Sequence, residues 1–318
     1  MAILNRTETA QFLKARDRFV ILTHRRPDGD TLGCAAFLCR GLRQLGKNAW
    51  ILPNPEITPK YEKLHEGLTR PLVEEGDTVI AVDTASEQML PEAYRSLLGS
   101  IDLRIDHHGT ANSFTENELV DPEAAACGEI LYDVLQLMGA KLDVEMANAL
   151  YTAVSTDTGC FRYANTTDHS FSVAAACAAV SKDLFRLNQV YFDTNSLARL
   201  RLQGWMVENG KFLAGGKIVI CAIPYAVERE LGVTEDDMEN ISGFPRSIEG
   251  VHIAATLRQN ADGLVKLSVR AIPGYDAGAI CATFGGGGHK GAAGANMRLS
   301  LEDAVAAVEK AMPHIERN

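Results

Sequence analysis

The sequence predicts a two-domain α/β protein, with a mostly parallel sheet in its N-terminal part and a smaller α/β domain after a helical connector. Three observations carry this expectation. Short apolar, β-branched runs alternate with helical patterns over the first half, which indicates a parallel sheet with helices on both faces. The chain has 318 residues, more than one hydrophobic core usually holds. Strand signals disappear over residues 183–209 and return beyond them.

The elements follow in order. The segment MAILNRTETAQFLKARD reads as an amphipathic helix capped by Asn5 or Thr7, without the apolar core of a signal peptide. Residues 19–23 (FVILT) form a strand, 33–45 a helix and 49–52 a further strand. The run 78–82 (TVIAV) ends at Asp83, and 101–105 ends at Asp106. Helical spacing returns over 124–137 and 143–154. The stretch FRLNQVYFDTNSLARLRLQGWMVEN is helical and mixed in charge, and serves as connector between domains expected at 1–182 and 210–318. In the second domain strands are expected at 217–223, 251–257 and 265–271. A Gly-rich turn (FGGGGHKGAAGA, 284–295) and a closing helix at 301–312, capped by Ser300, complete it.

Composition narrows the function classes. Hydrophobic residues make up 46% and charged residues 23%, an ordinary globular mix. No apolar run approaches the roughly 18 residues needed to span a bilayer, so a soluble, cytoplasmic protein is expected. The seven cysteines form no CxxC pair, which argues against a disulfide framework or zinc ribbon. Cys34, Cys39, Cys127 and Cys177 lie among Ala and Leu and read as buried thiols. Net charge is −10 with no basic stripe, unlike proteins that grip long nucleic acid. A short phosphorylated ligand, held by a few local cations, remains compatible.

Four polar clusters follow apolar segments: His24, Asp28 and Asp30 in THRRPDGD, Asp83 in VDTAS, Asp106, His107 and His108 in IDHHGT, and Asp157 in VSTDTG. A lone Asp after a strand is usually a turn or helix cap, and Asp30 could cap the following helix. Four such ends all bearing acid or imidazole are harder to explain that way. Because the carboxyl ends of parallel strands line one crevice, three of the clusters should converge. Clustered carboxylates demand a cation or raise one another's pKa. Two divalent ions would balance Asp28, Asp30, Asp83 and Asp157, with Gly29 expected to turn the chain sharply so that Asp28 and Asp30 reach different ions. Two ions roughly 4 Å apart suit in-line displacement at phosphorus. Mixed His and carboxylate donors favour Mn²⁺, with Mg²⁺ and Co²⁺ as alternatives.

These motifs, in this order, resemble the DHH phosphoesterase superfamily, named for the Asp-His-His triplet that stands here at 106–108. The Gly-rich GGGGHKGAAG resembles the DHH-associated substrate-binding domain. The resemblance implies that His24, Asp28 and Asp83 hold one ion. Asp30, Asp83, His107 and Asp157 would hold the other, with Asp83 bridging. It implies that His108 contacts the scissile phosphate and that Asp106 orients a neighbouring imidazole. His289 and the backbone of Gly286, Gly287 and Gly288 would receive the far end of the substrate, in a cleft between the domains. Arg270 in LSVRA matches a phosphate-binding arginine, and Arg258 in ATLRQ is a second candidate. A compact acidic chain without membrane segments looks most like the group that hydrolyses short RNA oligonucleotides and 3′-phosphoadenosine 5′-phosphate. Linear dinucleotides such as pApA, or single strands as for RecJ-type exonucleases, are the alternative substrates, and a homodimer is compatible.

Overall fold

The computed structural model describes residues 2–109 and 113–313. The chain divides into two compact units, Met1–Thr194 and Asn195–Asn318. The first contains, in chain order, β1 (Ala2–Ile3), α1 (Arg6–Lys14), β2 (Phe19–Leu22), α2 (Gly29–Gln44), β3 (Ala49–Ile51), β4 (Thr78–Val82), β5 (Leu103–Asp106) and β6 (Asn117–Val120), then α3 (Cys127–Met138), α4 (Val144–Asp157), α5 (Asp168–Val180) and α6 (Leu184–Asn188). The six strands form one sheet in the order β1-β6-β5-β4-β2-β3. Every pairing in it is parallel.

Alternation along β2 and β4 feeds two cores. Phe19, Ile21, Ile80 and Val82 pack with side chains of α2, α3 and α4. Val20, Leu22, Val79 and Ala81 pack with Leu52, Leu90 and Ile101, under Tyr94, Leu97 and Phe114. Helices on both faces were expected, but the second face is covered by loops and short 3₁₀ turns such as Glu92–Leu97. The segments around Leu52, Val73 and Leu90 of that face carry Pro53, Pro71 and Pro91, which interrupt helical hydrogen bonding.

Two helices reach further than their patterns suggested, and both extensions matter to the site. Helix α2 starts at Gly29, because the Asp28 carboxylate accepts the Asp30 and Thr31 N–H groups as an N-cap. Helix α4 continues to Asp157. Gly29 is not among the left-handed glycines, so it does not supply the sharp turn expected of it. It permits close approach instead: a Cβ there would lie 2.4 Å from the Thr156 side chain. One turn on, a Cβ at Gly33 would lie 2.5 Å from the Ala149 carbonyl oxygen and 2.8 Å from the Ala153 nitrogen. Gly33 lets α2 meet the backbone of α4 and Gly29 lets it meet the Thr156 side chain, which sets Asp157 against the start of α2.

The second unit contains α7 (Leu197–Asn209), β7 (Lys211–Leu213), β8 (Ile218–Ile223), α8 (Tyr225–Leu231), α9 (Glu235–Met238), β9 (Ile253–Gln259), β10 (Val265–Ala271), α10 (Ala277–Ala282), β11 (Gly287–Gly288), β12 (Ala292–Met297) and α11 (Leu301–Ala311). Its sheet runs β11-β12-β10-β9-β8-β7. Only β8 and β9 pair in parallel. One face packs Ile220, Leu257 and Leu267 against Ile280, Ala304 and Val308. The other packs Val219, Cys221 and Ala254 against Leu202 and Met206 of α7.

One expectation for this part needs correction. Half of the Gly-rich segment is strand: β11 and β12 pair antiparallel, Gly287 opposite Gly294, and the chain turns between His289 and Ala292. The stretch 183–209 consists of separate helical segments. Leu187 of α6 belongs to the core of the first unit and Leu202 of α7 to a core of the second. The helix is interrupted at Thr194, and Ser196 caps α7 by accepting the Arg199 N–H. Among the described residues, no helix is long and apolar enough to cross a membrane.

The glycine contacts predict substitutions of opposite sign. Gly→Ala inside a helix ordinarily stabilises by about 0.5–1 kcal/mol. Gly204→Ala in α7, where a Cβ meets nothing within 4 Å, should do so. Gly33→Ala should instead lower stability by about 1–3 kcal/mol, because overpacking outweighs propensity. Urea denaturation of both variants checks this, and a stabilised Gly33→Ala protein would contradict the close packing of α2 and α4.

Candidate metal centre

At or just beyond their carboxyl ends, β2, β4 and β5 carry His24, Asp83 and Asp106–His108, as parallel topology requires. Asp83 lies at the middle. Its backbone is left-handed, φ 51°, a conformation costing a non-glycine residue roughly 1–2 kcal/mol. The side chain is nearly inaccessible, and its two oxygens face different histidines. Oδ2 lies 3.7 Å from Nε2 of His24, and Oδ1 lies 3.5 Å from Nε2 of His107. Asp28 adds a carboxylate oxygen 3.6 Å from the same nitrogen of His24. Asp157 and Asp30 approach Nε2 of His107 at 3.4 and 3.9 Å. The donor atoms fall into groups, His24–Asp28–Asp83 and Asp30–His107–Asp157, each with ligand atoms within 4.8 Å of one another. Asp83, His107 and His108 form a third such group.

Both histidines are fixed in orientation from behind. Nδ1 of His24 meets the Arg25 carbonyl at 2.8 Å, and Nδ1 of His107 meets the Ala124 carbonyl at 3.1 Å. A carbonyl oxygen only accepts, so each ring carries its proton on Nδ1 and offers Nε2 to the cluster. His108 is held differently. Its Nδ1 lies 2.8 Å from Oδ1 of Asp106, which also accepts the N–H groups of His107 and His108. Asp106 therefore serves the histidines and is not a member of the three donor groups.

Asp30 is buried, and both of its oxygens are engaged. They accept the N–H groups of Cys127 at 2.7 Å and Gly128 at 3.1 Å, and the Cys34 thiol at 3.0 Å. Those amides open α3, whose N-cap residue Ala126 has no side-chain cap. Asp30 thus caps a helix as well as facing the cluster, but the helix is α3 and not its own α2.

The electrostatics call for positive charge. Burial, then the charges of Asp83 and Asp157, push the Asp30 carboxyl well above its usual range. Its enclosed position pushes Asp157 up to about 7; the opposing pull of His107 is outweighed with the help of Asp83 and Asp28. Burial works against charge on His24, yet Asp28 and Asp83 hold its imidazole well above the usual value. Oδ1 of Asp83 is buried without a hydrogen-bond partner among the described residues. An orphaned carboxylate oxygen beside acids that resist ionisation fits a cation site, because a bound cation would satisfy both.

The second unit holds the remaining sequence candidates. Arg270 lies on β10 opposite Ala292, which closes the hairpin turn with His289. His289 is exposed, and Gly287 and Gly288 form β11 just before it. Arg258 is a correction. Its guanidinium makes four hydrogen bonds of 2.6–3.0 Å to the carboxylates of Glu228 and Glu235. With its donors committed to two acids, it ties β9 to α8 and α9 and has little left for a phosphate. Two supporting residues went unnoticed in the sequence, Glu129 and Asn165. A buried acid inside the apolar face of α3 was the available signal for Glu129; Asn165 had none.

Fold and site together define a hydrolytic phosphoesterase. Residues 18–154 match the DHH family, N-terminal domain, and residues 216–313 match the DHHA1 domain. The bifunctional oligoribonuclease and PAP phosphatase NrnA of Thermus thermophilus is 33% identical over 310 residues, 95% of this chain and 92% of that protein. An exopolyphosphatase-related protein from Bacteroides fragilis superposes with a TM-score of 0.83 at 23% identity, covering 96% of this chain and 94% of that one. RecJ of Thermus thermophilus, solved in complex with Mn²⁺, superposes at 0.55 with 15% identity, covering 98% of this chain and 55% of that one. The chain belongs to the DHH phosphoesterase family.

A divalent cation bound here stabilises the folded chain by mass action, about 2.7 kcal/mol at a hundredfold excess over its dissociation constant. The melting temperature of the first unit should rise on addition of such a cation, and Asp83→Ala should lose most of the rise. Equal shifts in both proteins would show that the cation binds elsewhere.

Proposed function

We propose that the chain hydrolyses short oligoribonucleotides, and the 3′-phosphate of 3′-phosphoadenosine 5′-phosphate, with two divalent ions, Mn²⁺ being preferred. The observation that carries the chemistry is Asp83, whose two oxygens face two separate donor groups. The substrate class is supported by a relative, 33% identical over nearly the whole chain, that is named for both activities. His24, Asp28 and Asp83 would hold one ion, and Asp30, Asp83, His107 and Asp157 the other. When bound, such a pair activates water and neutralises charge on the phosphate. The mixed imidazole and carboxylate donors favour Mn²⁺ over Mg²⁺, with Co²⁺ also accommodated.

The chain's own residues do the rest. His108 gives Nδ1 to Asp106 and so presents Nε2 to the phosphate. Burial opposes charge on its ring, but Asp106 and Asp83 raise its pKa, favouring an imidazolium that donates to a phosphate oxygen. Water adds to phosphorus and the ester oxygen departs with a proton. Arg270, His289 and the backbone of Gly286, Gly287 and Gly288 receive the part of the substrate away from the scissile bond; the Gly286 N–H itself is committed to the Cys281 carbonyl. The glycines differ in what surrounds them: a Cβ at Gly286 would lie 2.1 Å from the Gly294 carbonyl oxygen of β12, whereas one at Gly287 would meet nothing within 4 Å, which leaves the backbone there open to a ligand.

Substrate length is the discriminating measurement. A net charge of −10 and no basic stripe leave little to hold a long strand. With 5′-phosphorylated RNA, kcat/KM should peak at about two to four nucleotides and depend weakly on salt. Rising efficiency toward long strands with a steep salt slope would indicate a processive exonuclease instead. A preference for pApA over both RNA and 3′-phosphoadenosine 5′-phosphate would indicate a dinucleotide phosphodiesterase. On the preferred substrate, His289→Ala should chiefly raise KM, whereas Asp83→Ala should abolish turnover. Unchanged constants in His289→Ala would remove the hairpin from the binding site.

A further inference from the structure

We propose that Asn165, together with Glu129, is a positioning residue that sets the spacing of His107 and Asp157, and thereby the affinity of one ion of the pair. This rests on the reading of the centre as a two-ion site. The connecting piece is the short segment 124–126. Its Ala124 carbonyl accepts Nδ1–H of His107. Its Ala125 N–H donates to Oε2 of the buried Glu129 at 3.1 Å, while Oε1 of Glu129 accepts the Ser170 hydroxyl at 2.5 Å. The Ala125 carbonyl accepts a hydrogen bond of 3.0 Å from the Asn165 amide nitrogen. The same nitrogen donates at 3.2 Å to the carbonyl of Asp157, at the end of α4. Both partners are carbonyl oxygens, so the amide must present its NH₂ to them, and both of its N–H groups are used. Asn165 therefore links the support of His107 directly to the backbone of Asp157, whose carboxylate stands 3.4 Å from that histidine.

The chain between Asp157 and Asn165 takes a costly path. Gly159, Cys160 and Phe161 are consecutively left-handed, with φ of 57°, 57° and 61°. Such residues normally occur singly, and each non-glycine one costs roughly 1–2 kcal/mol. The Thr158 hydroxyl accepts the Phe161 N–H, and Nε of Arg162 donates to the Gly159 carbonyl, which holds the reversal in place. The reversal brings Asn165 back over the end of α4. His24, Asp28 and their contacts with Asp83 lie outside this linkage, so it addresses one donor group and leaves the other alone.

The test is calorimetric titration of the full chain with Mn²⁺, with thermal melting of the metal-free protein as a control. Substitution of groups that orient metal ligands weakens affinity about 10–100-fold. Asn165→Ala should weaken one of two Mn²⁺ binding events by that factor, leave the other intact, and leave the metal-free melting temperature nearly unchanged, because Asn165 is exposed. Asn165→Asp, of the same size but unable to donate, should behave as Asn165→Ala does. Glu129→Gln, which can still accept the Ala125 N–H, should lose less than Glu129→Ala. Wild-type affinity for both ions in Asn165→Ala, or equal weakening of both, would overturn the proposal. A wild-type chain that takes up fewer than two ions would instead overturn the reading of the centre itself.

Discussion

Mutual repulsion among the carboxylates of Asp28, Asp30, Asp83 and Asp157 is the constraint around which the first unit is arranged. Water would screen such a cluster, but Asp30 and Asp83 are almost completely buried. The protein meets part of the cost with its own groups. Backbone amides opening α2 and α3 point at Asp28 and Asp30, so the positive ends of two helices face the cluster. Imidazoles with fixed tautomers supply further positive or neutral donors. Among the described residues, one oxygen of Asp83 and one of Asp106 are buried without a hydrogen-bond partner, and at Asp83 the backbone is left-handed as well. Strain and unsatisfied polarity at one residue are common where function overrides stability.

Two of these carboxylates therefore cap helices and face the donor cluster at once. Asp28 caps its own helix while facing His24, and Asp30 caps α3 while facing His107. Loss of either disturbs helix ends as well as the cluster, so a rate defect in Asp30→Ala alone would not isolate ligation. Asp83 is the cleaner probe, because its carboxylate caps no helix. Close packing at Gly29 and Gly33 adds the remaining dependence: Asp157 reaches the cluster because α4 lies directly on α2.

The convergence of three of the four clusters was legible in the sequence for a simple reason; Asp157, at the end of α4, is not on a strand. Buried parallel strands are apolar runs, and an Asp or His at the carboxyl end of each is conspicuous against them. Parallel topology then brings those ends together whatever their separation in sequence. Other features had no such mark. β11 is Gly-Gly and β12 begins Ala-Ala-Gly-Ala, which carry no alternating pattern, so a strand pair read as a turn. Arg258 read as a candidate anion ligand because its partners, Glu228 and Glu235, lie on helices far from it in sequence. The cover on the second face of the sheet could not be told from spacing, since proline-interrupted segments show neither strand nor helix periodicity. Asn165 contributes through two backbone carbonyls, and such contacts leave no trace in residue type.

The most direct test of the centre is anomalous diffraction at the manganese edge from crystals of the full chain soaked in Mn²⁺. The expected result is two peaks in the first unit, one on each side of the Asp83 carboxylate: the first against His24 and Asp28, the second against Asp30, His107 and Asp157. A single peak, or peaks that leave Asp83 without a contact, would contradict a shared carboxylate at the heart of the site.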